Sequence, residues 1–150
     1  ANSALSGGGG VDGAIHRAAG PDLVIASRAL GPLPAGQAVI APGFWLPARH
    51  VIFTVGPVWD GGHRNEAETL ANCYRNSLKV AQLHGLRTVA FPSISTGAYR
   101  FPFEAATRIA FQTVREFLLE TGNEMEVTFV YFSDTDNRLA QKIWADFEAK

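Results

Sequence analysis

A single cysteine, Cys73, excludes an internal disulfide and a thiolate zinc cluster. The histidines supply no metal set either. His50, His63 and His84 are scattered without ligand spacing, so no metal is expected. An excess of one charge is also missing: 13 Lys and Arg stand against 14 Asp and Glu, for a net charge of −1. That balance offers no basic stripe and speaks against nucleic acid as a partner. No apolar run approaches the roughly 20 residues that span a bilayer, and no signal peptide is visible, so no membrane role is expected. The chain is read as cytoplasmic, which a lone thiol fits.

Three common nucleotide or acyl-transfer signatures fail as well. Gly8, Gly10 and Gly13 satisfy a dinucleotide fingerprint, but Gly31 to Pro34 holds no acid where a ribose-binding one belongs, which disfavours a Rossmann dehydrogenase. No Walker lysine follows the glycines. No Gly-x-Ser-x-Gly elbow surrounds Ser93 or Ser95, which argues against a hydrolase serine.

What is present is one globular domain's worth of chain, 150 residues at 47% hydrophobic and 18% charged, with no internal repeat or low-complexity linker. Its organising stretch is the first twenty residues. Gly7 to Gly10 run into a short helical pattern in which Val11, Ile15, Ala18 and Ala19 share a face, and Gly20-Pro21 closes it. Glycines expose backbone N–H groups and the helix adds the positive end of its dipole, which makes an anion cradle suited to phosphate. Asp12 stands at its mouth, with Asn2 ten positions earlier. A carboxylate beside a phosphate site needs a reason. Helix capping is one and chemistry on the ligand is the other, and this stretch alone leaves both open. Asp12 and His16 lie one helical turn apart and are read as a surface pair in preference to a dyad.

Farther along, apolar runs predict strands at 37–41, 50–55, 88–92 and 127–132, the first two suited to burial on both faces. Phe44, Trp45 and Leu46 read as packing residues. Asn65 looks like an N-cap with Glu68 completing a capping box, and Cys73 falls on the apolar face of the helix that follows, as a core thiol. A second helix starts at Phe101-Pro102, and a last one at Asp134 or Asp136. Alternating strands and helices imply parallel pairing in a layered α/β domain. Ser95-Thr96-Gly97-Ala98-Tyr99 lies after a strand and before a helix, where open α/β sheets bind ligands. Gly97 is suited to an anion nest there, but an ordinary connection also favours these residue types, and position alone does not decide.

Two long stretches, taken in order, do decide. Asn2-Ser3, Leu5 and Gly7 through Gly20, followed by Pro92-Ser93-Ile94-Ser95-Thr96-Gly97-Ala98-Tyr99-Arg100-Phe101-Pro102, resemble the two ligand loops of the macrodomains, of the MacroD-like class. Leu46-Pro47-Ala48 and Thr54 through Trp59 fit between them, so the resemblance covers nearly the whole chain. It implies a three-layer α/β/α domain over residues 1–150 with a mixed, mostly parallel six-stranded sheet. In that family a central strand precedes the Asn-containing motif, so the chain is expected to lack its first strands. The resemblance further implies ADP-ribose as ligand, with no cofactor. Gly8, Gly9, Gly10, Val11, Ser95, Thr96, Gly97, Ala98 and Tyr99 become ligand-binding, with Tyr99 on the distal ribose and Phe132 against the adenine. Asn2 and Asp12 become catalytic. The implied activity is removal of mono-ADP-ribose from acidic side chains of modified proteins, or deacetylation of O-acetyl-ADP-ribose. The rival is a non-catalytic reader of ADP-ribosylated partners. Leu33-Pro34-Ala35-Gly36 departs from the Cys-Pro-Thr-Gly that the family often carries there.

Overall fold

The computed structural model describes residues 1–122 and 124–149. In chain order the elements are α1 (Gly10–Ala19), α2 (Asp22–Leu30), β1 (Ala38–Pro42), β2 (His50–Thr54), α3 (Glu66–Leu83), β3 (Thr88–Phe91), α4 (Phe103–Glu120), β4 (Glu126–Phe129) and α5 (Asp134–Glu148). The strands form two pairs. β1 and β2 are antiparallel, with Ile40 opposite Ile52, and β3 and β4 are parallel, with Ala90 opposite Thr128.

One antiparallel and one parallel pair agree with the mixed sheet that the resemblance implies and depart from the parallel pairing that element order alone implies. Only residues 43–49 separate β1 from β2, whereas a parallel crossover needs about a dozen residues. The burial expectation is corrected too. Within the strands only Ala41, Phe53 and Phe91 are buried, because among the described residues β2 pairs only with β1 and β3 only with β4. Each pair therefore keeps an unpaired edge on its inner strand. The C-terminal ends of those two inner strands nevertheless approach each other: a Cβ at Gly56, just past β2, would collide with Ser95 Oγ, just past β3.

Packing follows the pairs. Leu5, Ala19, Leu23, Leu33, Ala41, Phe53 and Val55 form one core, which joins α1 and α2 to β1 and β2. Leu70, Tyr74, Leu78, Phe91, Ala110 and Val114 form another, in which α3 and α4 cover β3. Phe111 extends it to Ala140 and Ile143 of α5. Cys73 sits in the interior as expected. It is fully buried, its thiol donates to the Val55 carbonyl at 3.3 Å, and burial raises its pKa. Of the three residues after Gly43, only Leu46 packs inward. Phe44 and Trp45 are largely exposed, and Trp45 lies over Gly20 with its N–H bonded to the Ala19 carbonyl. No helix among the described residues is long and apolar enough to cross a membrane.

Candidate functional site

The first loop is built from Asn2. Its Nδ2 donates to Ser6 Oγ (3.1 Å) and to the Gly7 carbonyl (2.9 Å), and its Oδ1 accepts the Ser6 N–H (3.1 Å). The amide thus closes a ring that sets the path into the glycines. Gly7 and Gly10 take left-handed φ values of 82° and 60°, which only glycine adopts cheaply. Gly13 is needed for a different reason: a Cβ there would run into the Gly8 carbonyl. Helix α1 therefore lies on the loop with its glycine side down. This rotates the buried face away from the predicted one. Gly13 and Ala19 are buried, Asp12, Ile15 and His16 are half-buried, and Val11 is exposed.

Two readings of Asp12 change as a result. The N-cap of α1 is Gly9, with no side-chain cap hydrogen bond, so Asp12 does not cap the helix. The pair with His16 does not lie on the surface. The side chains are 12% (His16) and 18% (Asp12) exposed, with Nε2 3.4 Å from Oδ1. The imidazole packs on Phe53 at 5.7 Å between ring centres, and its two nitrogens are buried with no hydrogen-bond partner among the described residues. His16 is thus a site residue that the sequence reading set aside. Its signal was the four-residue spacing from Asp12, but the period alone does not say which side of the helix faces inward.

The second loop leaves β3 at Pro92. Tyr74, buried in the α3 core, accepts the Ile94 N–H on its hydroxyl (3.3 Å) and anchors the start of the loop. Ser95 then takes the left-handed conformation (φ 66°) and its carbonyl accepts the Phe101 N–H at 2.9 Å. In this loop the left-handed conformation falls on Ser95 and Arg100, not on Gly97. Ser95 Oγ is buried against Gly56 and has no partner among the described residues. The Thr96 hydroxyl donates to the Ser93 carbonyl and to Ser93 Oγ. Gly97 and Ala98 are exposed and Tyr99 is half-buried. Added Cβ atoms at Gly9, Gly10 or Gly97 would meet nothing within 4 Å, so both loops present bare backbone to open space.

The end of β2 relates the two loops. Phe53 carries His16, Thr54 accepts the Ala1 ammonium at 3.1 Å, and Gly56 carries Ser95. Among the described residues no ring contact joins Phe132 to this cluster. The last rung beside β4 is the Val130 N–H to the Phe91 carbonyl, and Ser133 caps α5 by accepting the Asp136 N–H. Phe132 is therefore not a strand end, as expected, but part of the short connection between them, 98% exposed. Its exposure rules out a core role. Among the described residues no group of three His, Cys, Asp or Glu side chains is placed to hold a metal.

Glu66 is the residue that sequence reading missed altogether. The predicted capping box is not formed, since Asn65 is left-handed (φ 60°) and its side chain accepts no cap hydrogen bond. The first helical residue, Glu66, turns back and is 2% exposed. Burial opposes its ionisation, but N–H groups of Asp60, Arg64, Gly62 and Glu66 itself point at the carboxylate and hold its pKa down at about 2.

Bare glycine backbone at the start of α1 with one half-buried carboxylate in its first turn, and a second loop at the C-terminal end of β3, give this α/β domain an arrangement suited to an anionic ligand. The macro domain family model matches residues 1–110. A macro domain-containing protein of Chlorobaculum tepidum is 58% identical over 145 residues, covering 97% of this chain and 84% of that protein. A protein of Escherichia fergusonii named O-acetyl-ADP-ribose deacetylase is 50% identical over 147 residues, covering 95% and 83%. The Oceanobacillus iheyensis macrodomain, solved with ADP, matches with a TM-score of 0.94 and 43% identity, covering 99% of this chain and 82% of that one. The chain belongs to the macro domain family, and its α/β fold with a mixed strand set is the macrodomain fold.

Proposed function

We propose that this chain binds ADP-ribose and hydrolyses acyl esters of its distal ribose, either mono-ADP-ribose on acidic protein side chains or O-acetyl-ADP-ribose. Mono-ADP-ribosylated proteins are its macromolecular partners. The observation that carries the reading is the position of Asp12: a half-buried carboxylate in the first turn of α1, next to bare glycine backbone, with no part in capping. The name of the Escherichia fergusonii relative and the ADP in the Oceanobacillus iheyensis structure support the class of ligand.

The chemistry follows from the residues. A water oxygen forms a bond to the acyl carbon and the bond from that carbon to the ribose oxygen breaks. The water's proton passes to Asp12 and on to the departing ribose oxygen, so carboxylic acid and ribose hydroxyl are the products. His16, 3.4 Å from the carboxylate and fixed on Phe53, limits the orientations that Asp12 can take. The N–H groups from Gly8 to Val11 and from Ser95 to Tyr99 hold the diphosphate without needing a side-chain cation. The diphosphate itself helps to hold the water. Asn2 shapes the first loop and orients the sugar, a ribose hydroxyl taking the place of Ser6 Oγ on its amide. Phe132 offers its exposed ring to the adenine. The test is release of ADP-ribose from a glutamate-modified protein: turnover supports the enzyme, and binding without turnover supports the reader.

A further inference from the structure

The segment between β2 and α3 is wrapped around one carboxylate. Glu66 Oε2 accepts the N–H groups of Asp60 (2.8 Å) and Gly62 (3.0 Å), and Oε1 accepts that of Arg64 (2.6 Å). Arg64 closes the outside of the turn on Asp60 through Nε and Oδ2, 2.6 Å apart. Three donors converging on one buried ion fix the backbone far more tightly than the glycines at 61 and 62 would on their own. Trp59 opens this segment. Gly62 leaves room for its indole, since a Cβ there would stand 3.3 Å from the ring.

Trp59 in turn holds the second loop at two points. Its backbone N–H donates to the Tyr99 carbonyl at 2.8 Å, and its ring packs on Phe101 with centres 4.7 Å apart. Phe101 is buried and closes the loop by donating its N–H to the Ser95 carbonyl. The chain of contacts therefore runs from Glu66 through the 60–64 turn to Trp59, and from Trp59 to Tyr99 and Phe101.

We propose that Glu66 is a positioning residue for the second loop: by fixing the 60–64 turn it sets Trp59, and through Trp59 it sets how well Tyr99 receives the sugar beyond the diphosphate. This rests on reading that loop as the distal-ribose side of an ADP-ribose site. ADP keeps the diphosphate contacts of the first loop and lacks the sugar that Tyr99 receives, so loosening the brace at Tyr99 and Phe101 weakens ADP-ribose binding well beyond its effect on ADP. Glu66→Gln keeps the size of the side chain but replaces one acceptor oxygen by a donor NH2 aimed at backbone N–H groups. Trp59→Ala, at a half-buried position outside α3, keeps the backbone bond to Tyr99 but removes the ring that packs on Phe101, and it decides the matter if Glu66→Gln fails to fold.

The experiment is calorimetric titration of wild type and both variants with ADP-ribose and with ADP, each variant first checked for a cooperative melt. The expected result is a fall of about tenfold or more in ADP-ribose affinity with ADP affinity held within about threefold. An equal fall for both ligands, or wild-type affinity for both, in a folded variant overturns the proposal. Absence of ADP-ribose binding by wild type overturns the functional reading itself, and is recognised because it precedes any substitution.

Discussion

Replacing Asp12 by asparagine separates the chemistry of the first loop from its architecture. The N-cap of α1 is Gly9 and makes no side-chain bond, so the substitution removes no cap. What the fold loses is one negative charge in the first helical turn, which stabilises by about 0.5 kcal/mol in such a position. Asp12→Ala should cost no more than that, whereas a capping Asp would cost about 1 kcal/mol. What turnover loses is the proton acceptor. General-base help contributes about 10²–10⁴-fold, or roughly 3–5 kcal/mol of barrier, so the catalytic effect exceeds the structural one several times over. Affinity for ADP-ribose should hold or improve, because a charge beside the diphosphate has gone. The assay is release of ADP-ribose from a glutamate-modified protein, run beside a thermal melt and a titration with the product. Equal turnover by wild type and Asp12→Asn would refute the general-base role. A drop in stability large enough to unfold the variant would refute the account of the cap.

Gly97→Glu tests the second loop: the fold has open space there, so the melting temperature should be unchanged while ADP-ribose binding is abolished. Retained affinity in a folded variant would move the site elsewhere. Glu66 predicts an acid limb in the stability profile. Its folded pKa, about 2, lies below the ordinary 4.5, so its contribution is present above about pH 4.5 and is lost as the pH falls toward 2. Melts of wild type between those limits should fall more steeply than melts of Glu66→Gln, and parallel slopes would contradict this. Residues 1–150 are proposed to be one domain whose two strand pairs are joined by a further strand along β2. A β-strand fused before Ala1, whose ammonium already reaches the Thr54 carbonyl, should raise the melting temperature. An unchanged melt of the extended chain would remove that idea.

The two loops were legible because their chemistry is local. Glycine runs, Gly20-Pro21 and the Ser-Thr-Gly cluster each act on their own few residues, and α1 and the turn after β3 lie where those signals place them. The antiparallel pairing of β1 and β2 was legible too, in the short 43–49 connection, and it fits the mixed sheet that the resemblance implies. Three features were not legible. The inward face of α1 is set by a clash between Gly13 and the Gly8 carbonyl, a contact that apolar spacing does not report. The brace at Glu66 consists of backbone donors brought in by the fold, and in the sequence it looks like one acid among several at a helix start. The left-handed residues of the second loop are Ser95 and Arg100, neither a glycine, and only its packing on Gly56 singles Ser95 out from its neighbours.

The central claim is that the two loops form one site for ADP-ribose, and calorimetric titration of the wild-type chain with ADP-ribose, ADP and NAD tests it most directly. The account predicts one molecule of ADP-ribose bound per chain, ADP bound more weakly because it lacks the distal ribose that Tyr99 faces, and NAD bound least because its nicotinamide occupies the place where Asp12 holds the water. Indistinguishable affinities for the three, or no heat with ADP-ribose, would contradict it.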